Sequence, residues 1–154
     1  MNSLQNSTKT VFIFNIITLL DCEVIAASVD SHFSHMEYTH KKKDEGGLGP
    51  MKIPLLSDLS RKISTEYGCL NQDGTLTFRA TYIIDDKGIL KHISMNDTNV
   101  GRNPEEILRL VKAFQHSAKT GEVCPAKWDS GAKGMDPDMS SSKTKAYWKD
   151  VHAK

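Results

Sequence analysis

Charge of one sign is what this sequence lacks most clearly. Lys and Arg number 20 against 19 Asp and Glu, a formal net charge of +1. That balance removes the electrostatic footprint expected of a nucleic-acid or anionic-membrane partner, and neither is expected. Cysteine is sparse and odd in number: Cys22, Cys69 and Cys124 cannot all pair within one chain. A disulfide scaffold is thereby excluded, while a reactive or intermolecular thiol is not. Long apolar runs are missing too. The longest, residues 11–20 (VFIFNIITLL), is broken by Asn15 and Thr18 and is too short to span a bilayer as a helix. No internal repeat is present. With 38% hydrophobic and 25% charged residues over 154 positions, the chain belongs with soluble globular proteins and has the length of one domain.

The run at 11–20, with Lys9 before it, has the outline of a short secretory signal. Three features oppose secretion and favour a cytoplasmic protein. The preceding segment carries one Lys, Asp21 closes the run, and the nearest small-residue site, Ala26-Ala27-Ser28, lies inside an expected core strand.

From residue 22 strands and helices alternate. Residues 22–29 (CEVIAASV) predict a strand buried on both faces, as in a parallel sheet. Asp30 and Ser31 open a helix expected to reach Lys43, with Phe33 and Met36 on one face. Gly46-Gly47-Leu48-Gly49-Pro50 is a loop. Residues 53–56 give a short strand. Asp58 caps a helix carrying Leu59, Ile63 and Tyr67 at helical spacing, stopped by Gly68. Residues 77–84 alternate as a strand, 85–88 turn the chain, and 89–95 return. Asn103 caps the best helix: Pro104 starts it, Glu105 and Glu106 sit at its positive end, and Gly121 stops it. Ile107, Leu110, Val111 and Phe114 form its apolar stripe. After Gly121 the composition turns to Gly, Ser, Pro and Lys and reads as an extended arm. This is an α/β layout with a mixed sheet.

Several segments, in order and spacing, resemble the typical two-cysteine peroxiredoxins: VIAASVDSHFSH (24–35), GGLGP (46–50), IPLLSD (53–58), TFRATYIIDDKGIL (77–90), VGR (100–102), LRLVKAFQ (108–115) and GEVCPAKW (121–128). The resemblance implies a thioredoxin-like mixed sheet flanked by helices, incomplete at the N-terminus, with an extended C-terminal arm. It divides the chain into a non-family segment at 1–20, a truncated thioredoxin-like domain at 21–120 and an arm at 121–154. It also implies reduction of hydrogen peroxide and organic hydroperoxides with thioredoxin as reductant. Other peroxiredoxin subunits, in dimers or rings, are the implied protein partners, and no cofactor is implied.

In such a family a peroxidatic thiolate attacks the peroxide and becomes a sulfenic acid, which a second, resolving thiol condenses to a disulfide. Carried over by position, Arg79 in TFRATY matches the strand arginine that stabilises thiolate and peroxide, and Arg102 in VGR a secondary one. Cys124 in GEVCPAKW matches the resolving cysteine. Competing readings are a surface charge for Arg79 and a plain loop cation for Arg102. The peroxidatic motif, Pro-x-x-x-Thr-x-x-Cys, has no match: the residues three before the cysteines are Leu19, Glu66 and Gly121. Cys22 lies between Asp21 and Glu23, and Cys69 follows a helix C-terminus, so both sit where a thiolate is disfavoured. Of His32, His35 and His40 only the first two share a helix face, so no metal site is expected. On this reading the chain is inactive alone as a peroxidase. An alternative role is a non-catalytic subunit that joins complete peroxiredoxins.

Overall fold

The computed structural model describes residues 20–153. The chain, whose length reads as one domain, divides into two compact units, one ending at Arg102 and the other starting at Asn103.

In the first unit β1 (Ala26–Ser28) pairs parallel with β2 (Leu55–Ser57), Ala27 opposite Leu56. The ladder is extended at its ends by Ala26 N–H donating to Pro54 O and Asp58 N–H to Ser28 O. The expected strand at 22–29 is therefore shortened to three residues. Among the described residues β2 alone hydrogen-bonds to it, so only positions facing β2 acquire ladder partners. Burial on both faces is not realised either, since Ile25 is 63% exposed. Helix α1 (His32–His40) makes the crossover and packs on β2. Ser31 caps it, its hydroxyl accepting from Ser34 N–H at 3.1 Å. The helix stops at His40, three residues before the expected Lys43, and a single 3-10 turn, Lys43–Glu45, follows. Gly46 then adopts φ 82°. Gly47 is required by space: a Cβ there would lie 2.1 Å from Lys41 O.

The helix expected from Asp58 begins later, as α2 (Lys62–Glu66), because Arg61 stands at φ 61° and Leu59 stays outside it. Asp58 still caps it, accepting from Ile63 N–H, Ser64 N–H and Ser64 Oγ–H. Strand β3 (Arg79–Ile84) pairs antiparallel with β4 (Leu90–Asn96), with an irregularity between Ile83 and Ile84. Thr77, expected in the strand, forms a separate bridge with Leu70. Asp85 shapes the turn by accepting from Lys87 N–H and Ile89 N–H. The expected mixed sheet thus appears as a parallel pair and an antiparallel pair, not joined to each other among the described residues.

In the second unit α3 (Pro104–Thr120) starts at Asn103, whose side chain accepts from Glu105 N–H, and ends at Gly121 with φ 72°. Its buried residues are Leu108 and Val111, so the covered face is rotated from the expected stripe toward Leu108. The stretch expected to be extended contains a further helix, α4 (Ser142–His152), capped by Ser141. Before it, Val123 and Met135 bridge in both directions at 2.8 and 2.9 Å, closing a loop around Trp128, which is 3% exposed. Trp128 Nε1–H donates to Ala132 O at 3.1 Å. Thr144, fully buried, donates from its hydroxyl to Asp136 O and ties α4 to this loop. No helix of the described residues is long and apolar enough to cross a membrane.

Candidate functional site: a thiol and an arginine pair

Arg79 opens β3 opposite Asn96, and its Nε–H donates to Thr98 O at 3.3 Å. Arg102 closes the loop after β4, which Asn96 steadies by donating to Gly101 O. Its Nη1–H reaches back to Ala80 O at 3.2 Å. The loop therefore brings the second guanidinium to the strand carrying the first. Burial, and then the charge of Arg79, hold Arg102 below its ordinary pKa. The two guanidiniums repel each other and form no ion pair among the described residues, so their donors are of the kind that an anion or a polar oxygen pair can accept from. Arg79 is exposed on a strand with a single ladder partner.

Cys124 lies one residue after the Val123–Met135 bridge, and its thiol donates to Ala113 O on α3 at 3.5 Å. It is half-buried, where an exposed position was expected. Further along the same loop Trp128 is buried, and its carbonyl accepts from Arg109 Nη1–H at 2.9 Å, which ties the loop to α3. Burial pushes the Cys124 thiol up, Glu122 pushes it further, and Arg109 pulls it partly back. An open groove of about 430 Å³ runs beside it, lined by Leu110, Ala113, Phe114, Cys124, Pro125 and Lys127 among others. This thiol is accessible from one side and not primed as a thiolate.

The other cysteines differ. The Cys22 thiol is raised by burial first, then by Glu23 and Asp21. Cys69 donates to Ser64 O at 3.6 Å, off the end of α2. No second thiol pairs with any of the three. Of the histidines, His35 is taken up by Ser28, whose hydroxyl lies 2.6 Å from Nε2, and His32 stacks on Phe33.

Sequence reasoning missed one cluster entirely. Glu122 holds His116 Nε2 of α3 at 2.9 Å and, through its other oxygen, Lys143 Nζ of α4. The one available signal was a His and a Glu flanking a helix-stopping glycine, a pairing with no motif attached.

Comparison with known proteins bears on the family and the fold. Residues 15–93 match the AhpC/TSA family, beginning six residues before the expected start of the resemblance, and 113–150 match the C-terminal domain of 1-Cys peroxiredoxin. A peroxiredoxin of Cynops pyrrhogaster is 56% identical over 80% of this chain and 62% of its own length. Peroxiredoxin-1 of Gallus gallus is 52% identical over the same shares. The reduced 2-Cys peroxiredoxin of Plasmodium vivax superposes with a TM-score of 0.79 at 36% identity, covering 82% of this chain and 65% of that one. The chain spans about 62% of the length of these curated relatives. The match over half the sequence, the shared thioredoxin-like fold and a cysteine-bearing C-terminal part in register together place this chain in the peroxiredoxin family.

Proposed function

We propose that this chain acts in peroxide reduction as a resolving subunit: Cys124 supplies the second thiol, and a complete peroxiredoxin supplies the peroxidatic one. The observation that carries this reading is Cys124 itself, half-buried beside an open groove, with its thiol held up by burial and Glu122. Such a thiol stays protonated until a partner sulfur is presented, which suits resolution and not first attack on peroxide. None of the three cysteines carries the threonine spacing of the peroxidatic motif.

The chemistry would run in two balanced steps. A peroxidatic thiolate on the complete subunit attacks the terminal oxygen of a hydroperoxide, the O–O bond breaks, that sulfur becomes a sulfenic acid, and the released alkoxide takes a proton from solvent and leaves as the alcohol (water, for hydrogen peroxide). Cys124, losing its proton, attacks this sulfur; an S–S bond forms, the S–O bond breaks, and hydroxide leaves with the proton as water. Thioredoxin then reduces the intersubunit disulfide by exchange. Arg79 and Arg102 would orient the peroxide oxygens or a carboxylate of the facing subunit. A relative from Pongo abelii is named a mitochondrial thioredoxin-dependent peroxide reductase. For the present chain the compartment proposed is the cytoplasm.

The test is mixed-disulfide trapping. The chain is mixed with a complete 2-Cys peroxiredoxin whose resolving cysteine is replaced by serine, treated with one equivalent of hydrogen peroxide and run without reductant. A heterodimer band that disappears with Cys124→Ser and with added thioredoxin supports the reading. Rapid thioredoxin-linked peroxide consumption by the chain alone would replace it with a self-sufficient peroxidase.

A further inference from the structure

The residue two before Cys124 is bound more firmly than any surface glutamate needs to be. Glu122 is tied at both carboxylate oxygens to two different helices, His116 on α3 and Lys143 in the first turn of α4. A lysine there opposes the helix dipole, a cost that Glu122 offsets. The space for the carboxylate is built by Gly134, a buried residue whose Cβ, were there one, would fall 2.3 Å from Glu122 Oε2 and 2.8 Å from its Cβ. The His116 ring in turn lies tilted against that of the buried Trp128, ring centroids 4.9 Å apart. The bridge between Val123 and Met135 carries this fixation directly into the backbone next to Cys124.

We propose that Glu122 is a positioning residue for Cys124, a latch whose closure on His116 and Lys143 keeps the thiol turned onto the Ala113 carbonyl and whose release frees it into the groove. This rests on Cys124 being the resolving thiol, and it adds a means of control. The carboxylate is shared between His116 and Lys143, one oxygen to each, so the loss of either partner loosens the latch. The other charged groups around the loop are Arg109 and Glu106 on α3, Asp129 beside Arg109, and Lys133 paired with Asp150 of α4. Arg109 bonds Glu106 and Trp128 O, and Lys133 bonds Asp150, so neither takes the place of His116.

The test uses the full chain with Cys22→Ser and Cys69→Ser, so that 4,4′-dithiodipyridine reports Cys124 alone. Its rate of exchange is followed from pH 5 to pH 9. Glu122→Gln is expected to raise the rate at pH 7 about fivefold, the scale of a lost partly exposed ion pair together with the removed negative charge. Gly134→Ala, which crowds the carboxylate off His116 without touching any charge, is expected to raise it in the same direction. His116→Gln, which removes one of the two partners of the carboxylate, is expected to raise it in the same direction. Unchanged rates in both Glu122→Gln and Gly134→Ala, with tryptophan fluorescence unchanged, would overturn the proposal. Because the probe needs neither peroxide nor a sulfenic acid, failure of the latch is read separately from failure of the resolving role.

Discussion

The two units of this chain are held together by different forces. Among the described residues, the buried apolar ones all lie beyond Asn103: Leu108, Val111, Trp128 and Met135. Before it the buried side chains are polar, Asp58 and Ser64, joined to each other by hydrogen bonds. The first unit leaves many apolar groups in water, Phe33 at 66%, Leu59 at 60% and Ile93 at 52% exposed; the second leaves fewer, among them Met139 at 65%. A unit whose apolar groups face outward gains little from burial, the largest favourable contribution to folding. The contrast teaches that the second unit has its own small apolar core, whereas what the first buries is a hydrogen-bonded polar pair.

The largest effect that would sharpen this contrast is at Trp128. Trp128→Ala should cost about 3–5 kcal/mol of the second unit's stability, by cavity formation and loss of the His116 ring contact, read from urea unfolding of α-helical signal. An unaltered unfolding midpoint would show that the core around Trp128 contributes nothing. Next comes Thr144→Val, which keeps the shape but leaves the Asp136 carbonyl without its donor; about 1–2 kcal/mol is expected, by the same measurement.

In the first unit the corresponding experiment is acid. Burial raises the Asp58 carboxyl, but hydrogen bonds from Ser64, Ile63 and Ser60 together outweigh it and hold it below its ordinary value. A carboxyl lowered on folding adds stability above its ordinary value, and that stability is lost as pH falls through the folded value. Ser64→Ala should move acid unfolding of the first unit to higher pH, seen by circular dichroism, and leave the tryptophan fluorescence transition where it was. Smallest is Phe33→Ser. It should change stability by less than about 0.5 kcal/mol, yet lower light scattering at high protein concentration if exposed apolar surface drives association. Equal scattering would mean that the surface around α1 is inert.

Local grammar was legible wherever the determinant sits within four residues. Ser31, Asn103 with Pro104, the Asp85 turn and the Gly121 stop were all readable because capping and turn chemistry act over that distance. Strand β1 was overextended since ladder length depends on how much partner strand is present, which the segment itself does not encode. The start of α2 was misplaced because nothing in LSDLSRK announces a left-handed Arg61. Helix α4 and the buried Trp128 were hidden in a Ser, Lys and Gly-rich stretch whose composition suggests loop. At the site, motif position singled out Cys124, Arg79 and Arg102 as candidates, while the Glu122 cluster joins three separated segments and has no one-dimensional signature.

The parallel pair β1–β2 carries a kinetic consequence. Its three rungs depend on a crossover through α1, with Ala26 opposite Leu55, whereas β3 and β4 are joined by a tight turn. A hairpin of that kind closes in roughly microseconds, and the longer loop must first lose more chain entropy. During refolding the β3–β4 hairpin therefore exists first, and the parallel pair arrives on a chain that is already partly ordered. Quenched hydrogen exchange should find amides of β3 protected before those of β1.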